Sequence, residues 1–149
     1  MTQPTTDAII RTLPGLRRYA CAVTGSTRSG DEYIRVALEA LVEEPWRLPP
    51  QSAVKPELYA LLHRTLKICN FEDSGAAPAV DEAADMRHHL QRLSLVNREL
   101  LLLVDLEGFT PCEAAELLGL TEADAEWRLA QARRVLRDSR RRSRRSKLQ

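Results

Sequence analysis

Apolar positions in this chain recur at intervals of three and four, and no stretch alternates as a strand does. Leu13, Leu16, Tyr19, Ala20 and Val23 follow that period and predict a helix over 13–23. Gly25 and Gly30 read as bracketing a break, and Ser29 with Glu32 three residues on reads as a capping box. The stretch 31–44 then puts Ile34, Leu38, Leu41 and Val42 on one face of a second helix, which PWRLPP at 45–50 ends. Over 55–69, Leu58, Leu61, Leu62, Leu66 and Cys69 stand at helical spacing and predict a third. Residues 70–80, NFEDSGAAPAV, have no periodic apolar face and read as a flexible linker.

The second half is helical again. Asp81 is placed to cap a helix running to about Arg92, and Ser94 to open an apolar helix that stops at Gly108. The strongest local signal follows: Thr110-Pro111-Cys112-Glu113 offers an N-cap, a proline at the first helical position and a capping glutamate. That short helix, 111–118, stops at Gly119, and Thr121 with Asp124 starts a last helix over 122–136. Helix, turn, capped short helix, glycine turn and helix make a helix-turn-helix arrangement. Ala114, Ala115, Leu117 and Leu118 form its packed face, and Trp127 reads as a packing residue or an interface anchor. The expected fold is therefore all-α, with two small helical subdomains.

Composition narrows the function. A chain of 149 residues, 44% hydrophobic, suits one ordinary domain or two very small ones and excludes a large multidomain enzyme. The longest apolar run, 100–104, is far short of the roughly 20 residues of a membrane span, so no membrane role is expected. The N-terminus lacks the layout of a secretory signal, and Cys21, Cys69 and Cys112 are few and widely spaced, so a reduced, cytoplasmic protein is expected. No CxxC, HExxH or glycine-rich phosphate loop occurs. His88 and His89 are adjacent, point about 100° apart on a helix, and read as surface residues. Cys69 and Cys112 read as small core hydrophobes. No catalytic residue, metal or cofactor is predicted.

The net charge of +1 is a sum of opposites. Residues 133–149 hold nine of the 22 Lys/Arg and one of the 21 Asp/Glu, a balance of +8, which leaves −7 on residues 1–132. Any attraction to nucleic acid belongs in that basic tail, 139–149 above all, because phosphate binding needs clustered positive charge. The first turn of the last helix points the other way. A DNA-reading helix presents its N-terminal residues to bases and phosphates, and here those are Glu122, Asp124 and Glu126. Two like charges about 4 Å apart repel by on the order of 1 kcal/mol even at the dielectric of water.

The segments LRRYACAVTGS, SGDEYIRVALEAL, ELYALLHRTL and LEGFTPCEAAELLG carry a family resemblance. Residues 13–45 resemble region 2 of extracytoplasmic-function sigma factors, and 103–136 resemble their region 4. More closely, 13–136 resembles the sigma-like domain of the PhyR general-stress-response regulators of alphaproteobacteria, which mimic a sigma factor. Three departures from working sigma factors favour the mimic. Arg35 stands where a polymerase-gripping glutamine is usual, and Leu38 where an aromatic is. The end of the promoter-melting segment, Phe71-Glu72-Asp73, is acidic, as is the first turn of the last helix.

The resemblance implies a region 2-like domain over 10–70, a linker over 71–80, a region 4-like helix-turn-helix over 81–138 and a basic tail over 139–149. It implies a partner, a small anti-sigma factor of the NepR type, whose sequestration frees the true sigma factor. Tyr19, Tyr33, Leu41, Tyr59, Phe109, Leu117 and Trp127 are the candidate anchors for helix-in-groove docking, and most of them read equally as core. The receiver domain that follows in such regulators is not read in these 149 residues, as expected of either a fragment of a longer regulator or a receiver-less homologue. The alternative is an active sigma factor that binds RNA polymerase core and promoter DNA, with Arg128, Arg133, Arg134 and Arg137 reaching phosphates. A third reading is a helical DNA-binding or scaffold protein. The tail itself reads either as a solvated linker or as a nonspecific attractor of nucleic acid or an acidic partner.

Overall fold

In the computed structural model the described residues are 3–45, 53–69, 71 and 82–149, with side chains of the last stretch described from Met86 onward. They form α1 (Gln3–Thr24), α2 (Thr27–Glu43), α3 (Val54–Ile68), α4 (Glu82–Gln91), α5 (Leu95–Asp105), α6 (Pro111–Leu118) and α7 (Glu122–Lys147). The chain divides into two compact units, Met1–Glu72 and Asp73–Gln149. Apart from Phe71, the expected linker 71–80 lies outside the described residues, as do Asp81 and most of PWRLPP.

In the first unit α1 packs on both α2 and α3. It begins ten residues before the periodic stretch, so Ala8 and Ile9 extend the buried stripe of Leu16, Tyr19, Ala20 and Val23. Pro14 lies inside this helix on its exposed side, where an unpartnered carbonyl one turn back can reach water. Tyr19 and Tyr59 meet in the centre, ring centroids 5.2 Å apart and tilted by 56°, and join α1 to α3.

The α1–α2 corner corrects the sequence reading. Gly25, at φ +81°, makes the turn alone. The cap is Ser26, whose hydroxyl accepts the Ser29 N–H at 3.1 Å, so Ser29 is inside α2 rather than in front of it. Gly30 is not a break. It is buried in α2 against α1, where a Cβ would stand 2.7 Å from the Cys21 backbone nitrogen. That contact fixes which side of α2 faces inward: Gly30, Ile34, Ala37 and Leu41 are buried, while Val42, about a quarter-turn off the stripe, is 70% exposed. Cys69, expected in the core, is exposed because α3 ends at Ile68 and Cys69 is already its C-cap.

In the second unit α5 is the central helix. Arg98, Glu99 and Leu100 through Leu103 are all buried, as a helix covered on every side must be. The side chain of Arg98, with no exposed surface, donates to the carbonyls of Leu90 and Leu93 at 2.9 Å and of Gln91 at 3.3 Å. It thereby closes the C-terminal end of α4 from inside the core. Ser94 caps α5 by accepting the Asn97 N–H at 3.3 Å. At the far end, Gly108 (φ +77°) lets the Phe109 N–H return to the Leu103 carbonyl at 2.9 Å. Thr110 and Glu113 complete both halves of the capping box, and Gly119 (φ +71°) ends α6 with the Leu120 N–H on the Ala115 carbonyl at 2.8 Å. Cys112, in the first turn of α6 and away from Ala114, Ala115 and Leu118, is exposed, a second correction to the cysteine reading.

The last helix differs most from expectation. Thr121 caps it through the Asp124 N–H, as the sequence implied, but it runs to Lys147 rather than stopping near residue 136. Its inner face of Ala125, Leu129 and Ala132 continues into Ser139, which is buried, and Ser143, whose hydroxyl lies 3.3 Å from His89 Nε2. His89 is therefore buried, contrary to its reading as a surface residue, because α4 packs on the extension of α7.

Two substitutions check this packing. Gly30→Ala is expected to destabilise the first unit by about 1–3 kcal/mol, since backbone, which cannot step aside, occupies the space. A wild-type urea midpoint would contradict it. Arg98→Met should cost at least about 2 kcal/mol by removing the donor from the Gln91 and Leu93 carbonyls and the second donor from that of Leu90, which keeps the Leu93 N–H, against under about 0.5 kcal/mol for the exposed neighbour Arg92→Met; thermal melts of the two variants compare them directly.

Candidate functional site

The candidate anchors separate by exposure. Tyr19 and Tyr59 are at 0% and 1% relative exposure and hold the first unit together, so neither presents a surface to a partner in this conformation. Phe109, in the connection between α5 and α6, is likewise buried. Tyr33 is half-buried edge-on to Phe71, centroids 5.6 Å apart, and that desolvation pushes its hydroxyl pKa up. Leu117 is half-buried and Trp127 stands 62% exposed on α7.

Leu41, though buried, lies on the floor of an open apolar groove in the first unit. The groove holds about 300 Å³ between α2 and α3, with Ala40, Leu58, Leu61 and Ile68 as its apolar lining. Glu43, Glu44, Glu57 and Arg64 rim it, and the Arg64 guanidinium meets Glu57 at 2.7 Å across one turn of α3 and more. Ile68 is 80% exposed, and Val42 near the end of α2 adds further exposed apolar surface. Sequence reasoning missed Leu61 and Ile68 as surface. The signal was available: seven residues apart, they flank the Leu58–Leu62–Leu66 stripe on one side and form a second apolar edge. A groove of this size, apolar within and charged at the rim, takes the apolar side of an amphipathic helix.

Arg35, at the position that departs from the sigma pattern, is engaged on both sides along α2. It pairs with Glu32 one turn before and Glu39 one turn after, which raises its pKa and lowers that of Glu32. Across the α1–α2 corner, the Arg17 guanidinium donates to Asp31 at 2.7 and 3.0 Å and holds that carboxyl below its ordinary value.

In the second unit the four arginines proposed to reach phosphates split into two pairs. Arg128 is held by Asp124 at 2.9 Å and by Asn97 at 3.2 Å. Arg133 donates to Asp105 at the end of α5, at 3.1 Å through Nε, and this hydrogen bond raises its pKa. Both therefore knit α7 to α5. Arg134 and Arg137 are exposed beyond them. Of the three acids in the first turns, Asp124 is partly neutralised by Arg128, while Glu122 and Glu126 are exposed and form no ion pair among the described residues. The face that would meet DNA is thus negative where a reading helix begins.

Among the described residues no group of three or more His, Cys, Asp or Glu is arranged to hold a metal, and no helix is long and apolar enough to cross a membrane.

Compared with known proteins, residues 9–63 match the family model described as the Sigma2 domain of PhyR, and residues 90–136 that of the sigma-like domain of the response regulator PhyR. The phyllosphere-induced regulator PhyR of Methylorubrum extorquens is 34% identical over 114 residues, which cover 76% of this chain and 42% of that protein. The chain thus spans under half the length of this curated relative. The sigma-like domain of PhyR from Sphingomonas sp. Fr1, solved in complex with NepR, aligns at a TM-score of 0.76 with 30% identity, over 93% of this chain and 88% of that one. The sigma factor RpoE of Bartonella quintana, solved in complex with the anti-sigma factor NepR, aligns at a TM-score of 0.82 over 94% of this chain and 98% of that one. At 20% identity that likeness is one of fold alone.

Proposed function

The chain belongs to the PhyR sigma-like family, and on that premise we propose that it is a sigma-factor mimic, which binds a NepR-type anti-sigma factor and so releases the true sigma factor in a general stress response. The observation that carries this reading is the alignment over 88% of a sigma-like domain whose own structure was solved with NepR bound. On this reading residues 10–70 act as the region 2-like domain and 81–138 as the region 4-like domain, joined through 71–80. The protein works in the cytoplasm by binding, without catalysis.

Surface chemistry supports mimicry over promoter recognition. A mimic needs the apolar docking surfaces of a sigma factor and gains nothing from affinity for DNA. The first unit offers the groove over Leu41, Leu61 and Ile68. The second offers Trp127, while its reading helix opens on exposed Glu122 and Glu126 and spends Arg128 and Arg133 on α5 and α7 contacts. The RpoE likeness does not favour the alternative, since a mimic and its model share a fold by necessity.

Ile68 and Trp127 are exposed enough to change without disturbing either core. Ile68→Asp and Trp127→Ala should therefore each leave the melting temperature unchanged and weaken binding to the NepR-type protein of the same organism by about tenfold or more, the loss of one interface anchor. Titration calorimetry reads both. Wild-type affinity in both variants would move the docking surface elsewhere. No complex with that protein, together with run-off transcripts from core RNA polymerase, would sink mimicry itself.

A further inference from the structure

The C-terminal four turns of α7 carry a feature that the proposed anti-sigma docking surfaces, the α2–α3 groove and Trp127, do not include. Helical phase sorts their side chains onto two faces. Ser139 and Ser143 turn inward, toward α4. Arg134, Arg137, Arg140, Arg141, Arg144 and Arg145 are exposed on the outer side. Four of them, Arg137, Arg140, Arg141 and Arg144, line a shallow recess of about 190 Å³ with no carboxylate in its wall. None of these four forms an ion pair among the described residues, in contrast to Arg128 and Arg133 nearer the helix start. We propose that this arginine face is a docking surface for the phosphate backbone of duplex nucleic acid, bound without regard to sequence.

Three observations select that occupant. First, the cations are guanidiniums almost throughout, whose planar fork matches phosphate oxygens two at a time. Second, from Arg137 to Lys147 the sequence RDSRRRSRRSK contains no apolar residue. A protein partner docks around a desolvated apolar centre, and a membrane-surface helix needs an apolar side to bury; this stretch supplies neither. A phosphate backbone requires only positive charge along a line. Third, the face is a formed helix and not a loose tail, so successive arginines advance by about 1.5 Å per residue and are held in order before anything binds. Sequence reading is excluded by the other end of the same helix, where exposed Glu122 and Glu126 repel the base edges and phosphates that a recognition helix must approach. The contact is therefore to backbone alone, and of the four arginines lining the recess only Arg137 is among those that a promoter-binding region 4 would use.

The test is fluorescence anisotropy of the full chain against random-sequence DNA and RNA duplexes of about 20 base pairs, with salt varied from about 50 to 200 mM, the range over which counterion release is read. Four arginine–phosphate contacts predict a slope of log affinity on log salt near −3.6 (about −0.9 per phosphate on duplex DNA). The quadruple variant Arg137→Gln, Arg140→Gln, Arg141→Gln, Arg144→Gln should lose most of that slope and at least tenfold of the affinity at low salt. The matching Lys quadruple should keep the slope. Circular dichroism guards against loss of the helix, and the wild-type salt slope stands as a test even if a variant misfolds. The proposal is overturned if wild-type chain does not bind at about 50 mM salt, if its slope is near zero, or if the Gln variant binds as the wild type does. It is also overturned if polyglutamate of matched charge displaces the duplex as well as unlabelled duplex does, since the surface would then suit an acidic protein.

Discussion

Every α-helix leaves four N–H groups at one end and four C=O groups at the other without partners in the helix, and in units this small those ends lie close to the core. How they are closed decides the rest of the structure. Ser26, Ser94, Thr110 and Thr121 each accept an N–H at a helix start. Gly108 and Gly119 fold the last carbonyls of α5 and α6 back under a left-handed residue. Arg98 is the unusual case. Its guanidinium is wholly buried, yet its donors meet the carbonyls of Gln91 and Leu93 at the end of α4 and add a second donor to that of Leu90, which also accepts the Leu93 N–H. A charge in that place is tolerated because three carbonyl oxygens accept from it. With these ends closed, α5 can run its leucines through the centre of the unit, and α6 and α7 can pack on it at a fixed angle.

The helix-turn-helix was legible because its punctuation is local. Thr110, Pro111, Glu113, Gly119 and Thr121 act within a few residues of themselves, so reading them required no knowledge of what packs where. The misreadings arose where a distant neighbour decides. Gly30 carries the same signal as a turn glycine, and only the approach of α1 makes it an interior contact. His89 looks like a surface residue until α7 is seen to continue over it. The serines and arginines of 137–147 have no apolar stripe to signal a helix, and theirs packs on α4, where Ser143 meets His89. Among candidate anchors the difficulty was of the same kind. Periodicity marks Tyr19, Tyr59 and Trp127 alike, and only burial distinguishes a ring that joins two helices from one that faces solvent.

Charge in this protein is sorted along single helices and not only between them. The middle of α2 sets Arg35 between two glutamates, and the first half of α7 commits Arg128 and Arg133 to acids of α7 and α5. These exposed pairs contribute little stability individually, but they occupy cations that a polymerase- or promoter-binding surface would leave available. On the proposed reading, the same backbone architecture is thus given a surface with a different set of partners, so that two proteins of one shape would compete for one anti-sigma factor while only one of them turns to the promoter.

The uninterrupted course of α7 has a mechanical side. Between Thr121 and Lys147 there is no glycine, proline or break, so a rod of roughly 39 Å, at 1.5 Å per residue, joins the helix-turn-helix to the arginine face. Its two ends cannot reorient independently. Whatever seizes the arginines applies torque to Ala125, Leu129 and Ala132, where the same rod is wedged against its neighbours, and the two ends of α7 must report to each other as the arms of one lever.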